Sequence, residues 1–244
     1  MPLTLTVLGS SGTYAGPDGA CSGFLVRSDT TTVMLDAGPG TLANLQRHVP
    51  LEQLDGVVLS HSHPDHWLEL PVLRNALKYV LGRDGLPVHT TAETLELAEQ
   101  LCGGGLTPTF VPHVISDGSE LRIGDLALRC SRTDHPVETL GVRVESAGRS
   151  LGYTADTGPA WSIGELGTVD LALSEATFVH DAPERNPVHL SARQAGQIAR
   201  AAGAGRLVLT HVLPTGSVEL ALAEAADAYG APVEHAALHR SFDV

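Results

Sequence analysis

Apolar positions along this chain come in two rhythms. Short runs that a β-strand would bury fall at residues 3–8, 24–26, 32–35, 56–60, 87–89, 110–115, 171–174 and 207–210, with a last one near 233. Longer mixed stretches predict helices near 42–48, 70–81, 93–101, 191–202 and 218–229. From 120 to 154 the segments ELRIG, LALRCSRT, LGVRVES and SLGYT alternate apolar with polar residues between short turns, as half-buried antiparallel strands do. Each half of the chain therefore has strands first and helices after. Two sheets packed face to face, with helices on both outer faces, would bury all of these apolar surfaces. The expected architecture is a layered α/β sandwich, α–β–β–α, formed by residues 1–244 as one domain. No internal repeat, low-complexity tract or Pro/Gly/Ser-rich linker divides it.

Composition narrows the possibilities. With 244 residues, 43% hydrophobic and 18% charged, the chain can bury a sizeable core and does not read as disordered. It has no run of about 18 apolar residues, which predicts no membrane span. The opening MPLTLTVLGS lacks a basic stretch before its apolar one and reads as a first strand rather than a secretory signal. Cys21, Cys102 and Cys130 are widely spaced and odd in number, so neither a disulfide framework nor a cysteine zinc site is expected. The expectation is a cytoplasmic protein with free thiols. With 15 Lys+Arg against 28 Asp+Glu, and Lys78 the one lysine, the net charge of −13 disfavours a long polyanion as partner. An aromatic content of 4% leaves few platforms for stacking a single strand.

One motif dominates the chemistry. His61-Ser62-His63-Pro64-Asp65-His66 follows the apolar run Val57-Val58-Leu59. Imidazoles and carboxylates suit zinc, manganese or iron. Four such groups in six residues can bracket two ions if the chain turns sharply, which Pro64 favours. A solvated polar loop explains one histidine after a strand well, and this cluster poorly. Further candidates close other strands: His135 after LRCSRT, Asp156 after SLGYT, and His211 after Leu207-Val208-Leu209. Each alone fits a capping or solvated residue; together with the first motif they point to one centre.

Other signals carry less. Gly9-Ser10-Ser11-Gly12 lacks the Gly-Lys-Ser/Thr ending of a phosphate loop and predicts a tight turn whose backbone can approach the site. No Gly-x-Ser-x-Gly elbow offers a serine nucleophile. Trp67 and Trp161 lie near candidate ligands and are expected in core or rim packing rather than against a nucleobase. His48, His89, His113, His180, His235 and His239 fit no motif and are expected at the surface or in local bonds. Loop 179–188 is a candidate lid, with Arg185 expected as a solvated charge rather than a phosphate contact.

These segments resemble a known family. HSHPDH resembles the first metal motif of the metallo-β-lactamase-fold hydrolases. DHPVETLGVRVE, YTADT, SEATF, HLSARQAGQIA and LVLTH resemble, in order, later segments of the ribonuclease Z-like phosphodiesterase branch. The resemblance spans nearly the whole chain. It implies the metallo-β-lactamase fold, an αββα sandwich of two mixed sheets with the site along one edge. It implies that His61, His63 and His135 hold one divalent ion, that Asp65, His66 and His211 hold another, and that Asp156 bridges them. The ions implied are two Zn2+, with Mn2+ or Fe2+ as alternatives, and the assembly implied is a homodimer. Compact bacterial members of the branch, including atypical cyclic-nucleotide phosphodiesterases of actinobacteria, resemble the chain in length and in LGSSGTYAGPDGACSGFLV and LQRHVPLEQLDGVVLSHSHPDH. A small phosphodiester, with a cyclic nucleotide in first place, is therefore the expected substrate.

The chain also departs from the branch. Ser174-Glu175-Ala176-Thr177 stands where ribonuclease Z has His-Glu-Ala-Thr, and Pro39 in Asp36-Ala37-Gly38-Pro39-Gly40-Thr41 replaces an acidic residue. Residues 67–135, already used by helices and strands, leave no room for a long tRNA-gripping arm. These departures argue against a tRNA 3′-end endonuclease and leave phosphodiester chemistry intact. In that chemistry two ions about 3.5–4 Å apart share a hydroxide that attacks phosphorus in line with the leaving oxygen. A proton must then reach the leaving alkoxide. His189 is the candidate by its match to the branch, and Glu175 would orient it. The alternatives are a polar residue beside a Ser191 helix cap and a strand-end acid. Asp65 joins His189 and Glu175 among the catalytic candidates. Asp36 fits equally a support for the ligands or a turn residue. Lactone or thioester hydrolysis, and metal binding without catalysis, are the competing functions. The segments around Glu175 and His189 argue against the first, and the seven-residue ligand set against the second.

Overall fold

A computed structural model describes residues 3–103, 105–180 and 187–244. The chain opens with three antiparallel strands, β1 (Thr4–Gly9), β2 (Gly23–Arg27) and β3 (Thr32–Ala37), and continues in parallel through β4 (Gly56–Val58), β5 (Leu86–Thr90) and β6 (Phe110–Val114). Parallel neighbours need crossovers. Helices α1 (Thr41–Leu45), α2 (Pro64–Trp67), α3 (Leu70–Asn75) and α4 (Ala92–Leu101) lie in them. The second half repeats the scheme. Antiparallel β7 (Glu120–Ile123), β8 (Leu126–Arg132), β9 (Leu140–Ser146) and β10 (Arg149–Tyr153) lead into parallel β11 (Leu171–Glu175), β12 (Arg206–Thr210) and β13 (Glu234–His235). Helices α5 (Ala192–Ala201) and α6 (Val218–Tyr229) cross between those parallel strands. A final strand, β14 (Ser241–Asp243), returns to pair with β1 in the first sheet. The sheet orders are β14-β1-β2-β3-β4-β5-β6 and β13-β12-β11-β10-β9-β8-β7.

The expected four-layer sandwich is present, and strand patterning explains it. In β8 the buried residues Leu126, Leu128 and Cys130 alternate with half-buried Ala127 and Arg129, so one face enters the core between the sheets. β11 is buried along its whole length: Leu171 and Leu173 face the opposite sheet, while Ala172 packs under α5 and α6. Leu25, Met34, Val57 and Leu59 pack instead under α1 and α3. Among the described residues no helix is long and apolar enough to cross a membrane.

Three elements differ from expectation. β14 contributes one buried apolar residue, Phe242, too little for a sequence signal. The predicted helix 70–81 is α3 followed by a wider turn of i→i+5 type over Ala76–Leu81. The bend at Pro64 is a helical turn, with Pro64 at its first position, where a missing N–H costs nothing. Trp67 and Trp161 are buried, as expected for packing. Their indole N–H groups donate to Ser62 O (2.8 Å) and Ser131 Oγ (3.1 Å). The three cysteines are free.

Candidate metal centre

The chemistry collects where strands end. His61 lies just past β4, His135 past β8, Asp156 past β10 and His211 past β12. Helix α2 turns the chain between His63 and His66. All seven candidate ligands converge there. His63 Nδ1 lies 3.1 Å from His135 Nε2, and His66 Nε2 lies 3.3 Å from His211 Nε2. Asp156 stands between the two sets. Its Oδ2 is 3.5 Å from His61 Nε2 and 4.0 Å from His135 Nε2; its Oδ1 is 3.3 Å from both His66 Nε2 and His211 Nε2. Asp65 Oδ2 closes the second set, 3.3 Å from His211 Nε2 and 3.6 Å from His66 Nε2. In each set the donor atoms lie within 4.8 Å of one another.

Hydrogen bonds behind the imidazoles fix which nitrogen faces inward. Asp36 accepts from Ser60 N (2.7 Å), Ser60 Oγ (2.8 Å), Tyr153 OH (2.8 Å) and His66 Nδ1 (2.8 Å). With the Ser60 hydroxyl given to Asp36, His61 Nδ1–H donates to Ser60 Oγ (2.9 Å). His135 Nδ1–H donates to Val188 O (3.0 Å). The Thr177 hydroxyl donates to Glu175 Oε2 (2.7 Å), so His211 Nδ1–H donates to Thr177 Oγ1 (2.9 Å). The Nε2 atoms of His61, His66, His135 and His211 therefore all point to the centre with their Nδ1 atoms engaged. His61 Nε2 and Asp156 Oδ1 are buried with no hydrogen-bond partner among the described residues. Buried polar atoms without partners are costly, and a cation satisfies them. The donor set fits divalent metal ions.

The local field agrees. Burial works against a charged His66, yet the Asp156 and Asp36 carboxylates pull its pKa well above the usual histidine range. Burial also opposes ionised Asp156, but His211, His66 and His61 hold its pKa well below the carboxylate range. Asp65 is likewise depressed: burial opposes, while the His211 hydrogen bond and the His66 charge prevail. His61 and His135 are lowered chiefly by burial, His135 to about 4. The carboxylates thus favour positive charge in the middle of the cluster.

His189 stands beside the ligands, its ring 5.2 Å from that of His135 and 5.4 Å from that of His211. Its Nδ1 lies 3.0 Å from Glu175 Oε1. Burial would lower its pKa, but Glu175 outweighs that and raises it to about 9. Glu175 is fully buried and accepts from Thr157 N (2.6 Å), Thr177 Oγ1 (2.7 Å), Thr177 N (3.3 Å) and Leu190 N (3.3 Å). Ser191 caps α5 in a reciprocal box with Gln194, so the capping role falls to Ser191 and leaves the His189 side chain for Glu175. A cavity of about 330 Å³ opens over the cluster, lined by Thr13, His63, Pro64, Asp65, Asp156, His189 and His211. Another of about 360 Å³ adjoins it beyond His135, where Asp134, Pro136, Pro159, Ala160, Pro187 and Val188 line it among the described residues.

Sequence reasoning undervalued Asp36 and missed Ser60, Tyr153 and Thr177. Asp36 takes φ 58°, a conformation that the following Gly-Pro-Gly hints at but does not specify. The glycine-rich loop after β1 does bring backbone to the site, although residues 9–12 form no hydrogen-bonded turn among themselves: Thr13 N donates to Asp65 Oδ2 (2.9 Å) and Gly12 N to Val212 O (3.1 Å). His48 and His239 bond each other at 3.0 Å, and His180 is exposed, both as expected. His89 is instead buried, and its ring makes no hydrogen bond among the described residues. Arg185 and Asn186 of the candidate lid lie outside the described residues.

Known proteins share this arrangement of sheets. A family profile described as "Beta-lactamase superfamily domain" matches residues 31–212. An uncharacterized protein of Mycobacterium tuberculosis (strain ATCC 25618 / H37Rv) is 34% identical, over 98% of this chain and 92% of that protein. Ribonuclease Z of Mycobacterium marinum (strain ATCC BAA-535 / M) is 30% identical over 87% of each chain. The crystal structure of the metallo-beta-lactamase fold protein YhfI from Bacillus subtilis matches with a TM-score of 0.90 and 28% identity, covering 99% of this chain and 98% of that one. The chain belongs to the β-lactamase superfamily, as a metallo-hydrolase of the ribonuclease Z-like branch.

Proposed function

We propose that the protein is a dinuclear, metal-dependent phosphodiesterase acting on a small phosphodiester, a cyclic nucleotide foremost. The observation that carries this reading is Asp156, one carboxylate whose two oxygens face two separate sets of imidazoles. A bridged cation pair requires that arrangement; a closed structural zinc site does not. His61, His63 and His135 would hold one cation and Asp65, His66 and His211 the other, both zinc or, alternatively, manganese or iron. Bound there, two divalent cations would lower the pKa of water and neutralise charge building on the phosphate oxygens.

The remaining work falls to protein side chains. His189 Nδ1–H donates to Glu175, which fixes the tautomer and orients the ring over the cavity. The Glu175 carboxylate favours the protonated ring, so His189 carries a proton at neutral pH and delivers it to the leaving alkoxide. Two modest cavities, one lined by His135 and the other by His189, whose rings lie 5.2 Å apart, support a small ester with one arm on each side of phosphorus. The homodimer and cytoplasmic location belong to the same reading.

Cleavage of tRNA 3′ ends is the second reading, favoured by the ribonuclease Z relative. Against it, residues 67–135 are occupied by α3, β5, α4, β6, β7 and β8, with no long arm among the described residues. Elemental analysis of purified protein is expected to find close to two metals per chain; none, even after metal addition, removes the reading. Metal-loaded protein assayed side by side on cyclic AMP, an RNA with a 3′ trailer, a generic phosphodiester and a lactone is expected to hydrolyse cyclic AMP fastest. Preferential trailer removal would install the second reading instead.

A further inference from the structure

We infer that Thr13 is a positioning residue for the centre: its backbone N–H, held in place by a strained turn, clamps one oxygen of Asp65. This rests on the dinuclear reading above. The loop after β1 lies along the chain beyond His211, where Ser11 pairs with Val212 and Gly12 N donates to Val212 O. Gly12 admits no side chain, since a Cβ there would lie 2.5 Å from His211 O and 2.8 Å from His211 Nδ1. Tyr14 N then donates to Gly12 O at 2.7 Å, closing a three-residue turn with Thr13 at its centre and φ 64°. The positive-φ form of this turn is the rare one, and a β-branched residue there is strained.

What the strain achieves is the direction of one N–H. Thr13 N donates to Asp65 Oδ2 at 2.9 Å, the same oxygen that faces His211 and His66. Asp65 Oδ1 makes no hydrogen bond among the described residues, and Asp65 lines the cavity beside Thr13. The clamp therefore decides which carboxylate oxygen serves the second set of imidazoles and which one the cavity receives. Three other non-glycine residues around the centre, Asp36, Ala155 and His211, also take positive φ. The first set is supported elsewhere, through Ser60 and Val188, so loss of the clamp should loosen one cation and spare the other.

The test follows zinc release from loaded protein into a chromogenic chelator. Wild type is expected to release two equivalents slowly. Thr13→Pro, which has no N–H, is expected to release one equivalent at least about tenfold faster and the other at the wild-type rate, since outer hydrogen bonds on a ligand are worth about 10–100-fold in metal affinity. Thr13→Gly keeps the N–H and accepts positive φ, so its release should stay within about twofold of wild type. Tyr14→Pro, at a position 49% exposed, removes the closing bond and biases Thr13 toward extended backbone. It too should release one equivalent faster, and it decides the matter alone if Thr13→Pro fails to fold. Wild-type release from the proline variants, equal acceleration of both equivalents, or a Thr13→Gly as fast as Thr13→Pro each overturns the clamp. A wild type that binds fewer than two cations sinks the dinuclear reading instead.

Discussion

Two groups of imidazoles lie in this molecule, and they differ in company. At the centre, five histidines surround Asp156 and Asp65, and four of them, His61, His66, His135 and His211, are turned inward by Ser60, Asp36, a backbone carbonyl and Thr177. On β5 and β6, His89 and His113 stand in register, their rings stacked at 4.7 Å and 15°. Neither ring enters a hydrogen bond or ion pair among the described residues. Burial, with His113 adding to it, lowers His89 to about 4, whereas the carboxylates drive His66 upward against the same burial. Carboxylates decide the outcome. A buried imidazole with no carboxylate beside it, His89, is pushed toward its neutral form; imidazoles around a divided carboxylate form a place for positive charge.

The sharpest way to break this comparison is Asp156→Ala. Removing the shared carboxylate should lower turnover at least about 10³-fold, because it takes away several kcal/mol of charge stabilisation at once. Metal content should fall from two to one or none. His89→Ala or His113→Ala should leave metal content at two. Turnover and metal content of Asp156→Ala equal to wild type would mean that the carboxylate does not organise the centre.

His189 tests the boundary of the cluster, since it touches the ligand rings yet pairs with Glu175. His189→Ala should lose about 10²–10³-fold in kcat with both metals retained. Glu175→Gln, which keeps the shape and loses the charge, should lose about 10–100-fold. Loss of a metal equivalent in His189→Ala would make the ring a ligand rather than a proton donor.

The comparison also shows what a sequence displays. The seven candidate ligands fall just past apolar strands or, for Asp65 and His66, on the short helix that follows one, and their side chains announce the chemistry by type alone. The sandwich was equally legible, because inward faces of strands such as β8 must alternate. The supports were not. Asp36 reaches Tyr153 across 117 positions, and Thr13 acts through a backbone N–H whose direction depends on a turn that its own side chain disfavours. β14 was hidden for a different reason: three residues with one buried phenylalanine gain their structure from β1, not from their own pattern. His89 was expected at the surface or in local bonds because it fits no motif, and only the packing of β5 against β6 shows it buried.

The smallest effect lies at that stacked pair and appears as acid lability. Folded His89 titrates at about 4, below the ordinary histidine value of about 6.5. The unfolded chain therefore takes up its proton first as pH falls. The contribution of neutral His89 is fully present above pH about 6.5 and is lost as pH drops toward 4, by at most about 3 kcal/mol. Asp55, Arg122 and Asp125 line the same cavity as His89 and His113, and none of them is in an ion pair with either ring among the described residues. In His89→Phe the stacking ring stays and the proton site goes. Urea unfolding of metal-free protein at pH 7, 5.5 and 4 should therefore show a shallower loss of stability in His89→Phe than in wild type, with similar stability at pH 7. Parallel losses in the two proteins would show that burial does not hold His89 neutral, and the contrast with the carboxylate-fed centre would lose its second term.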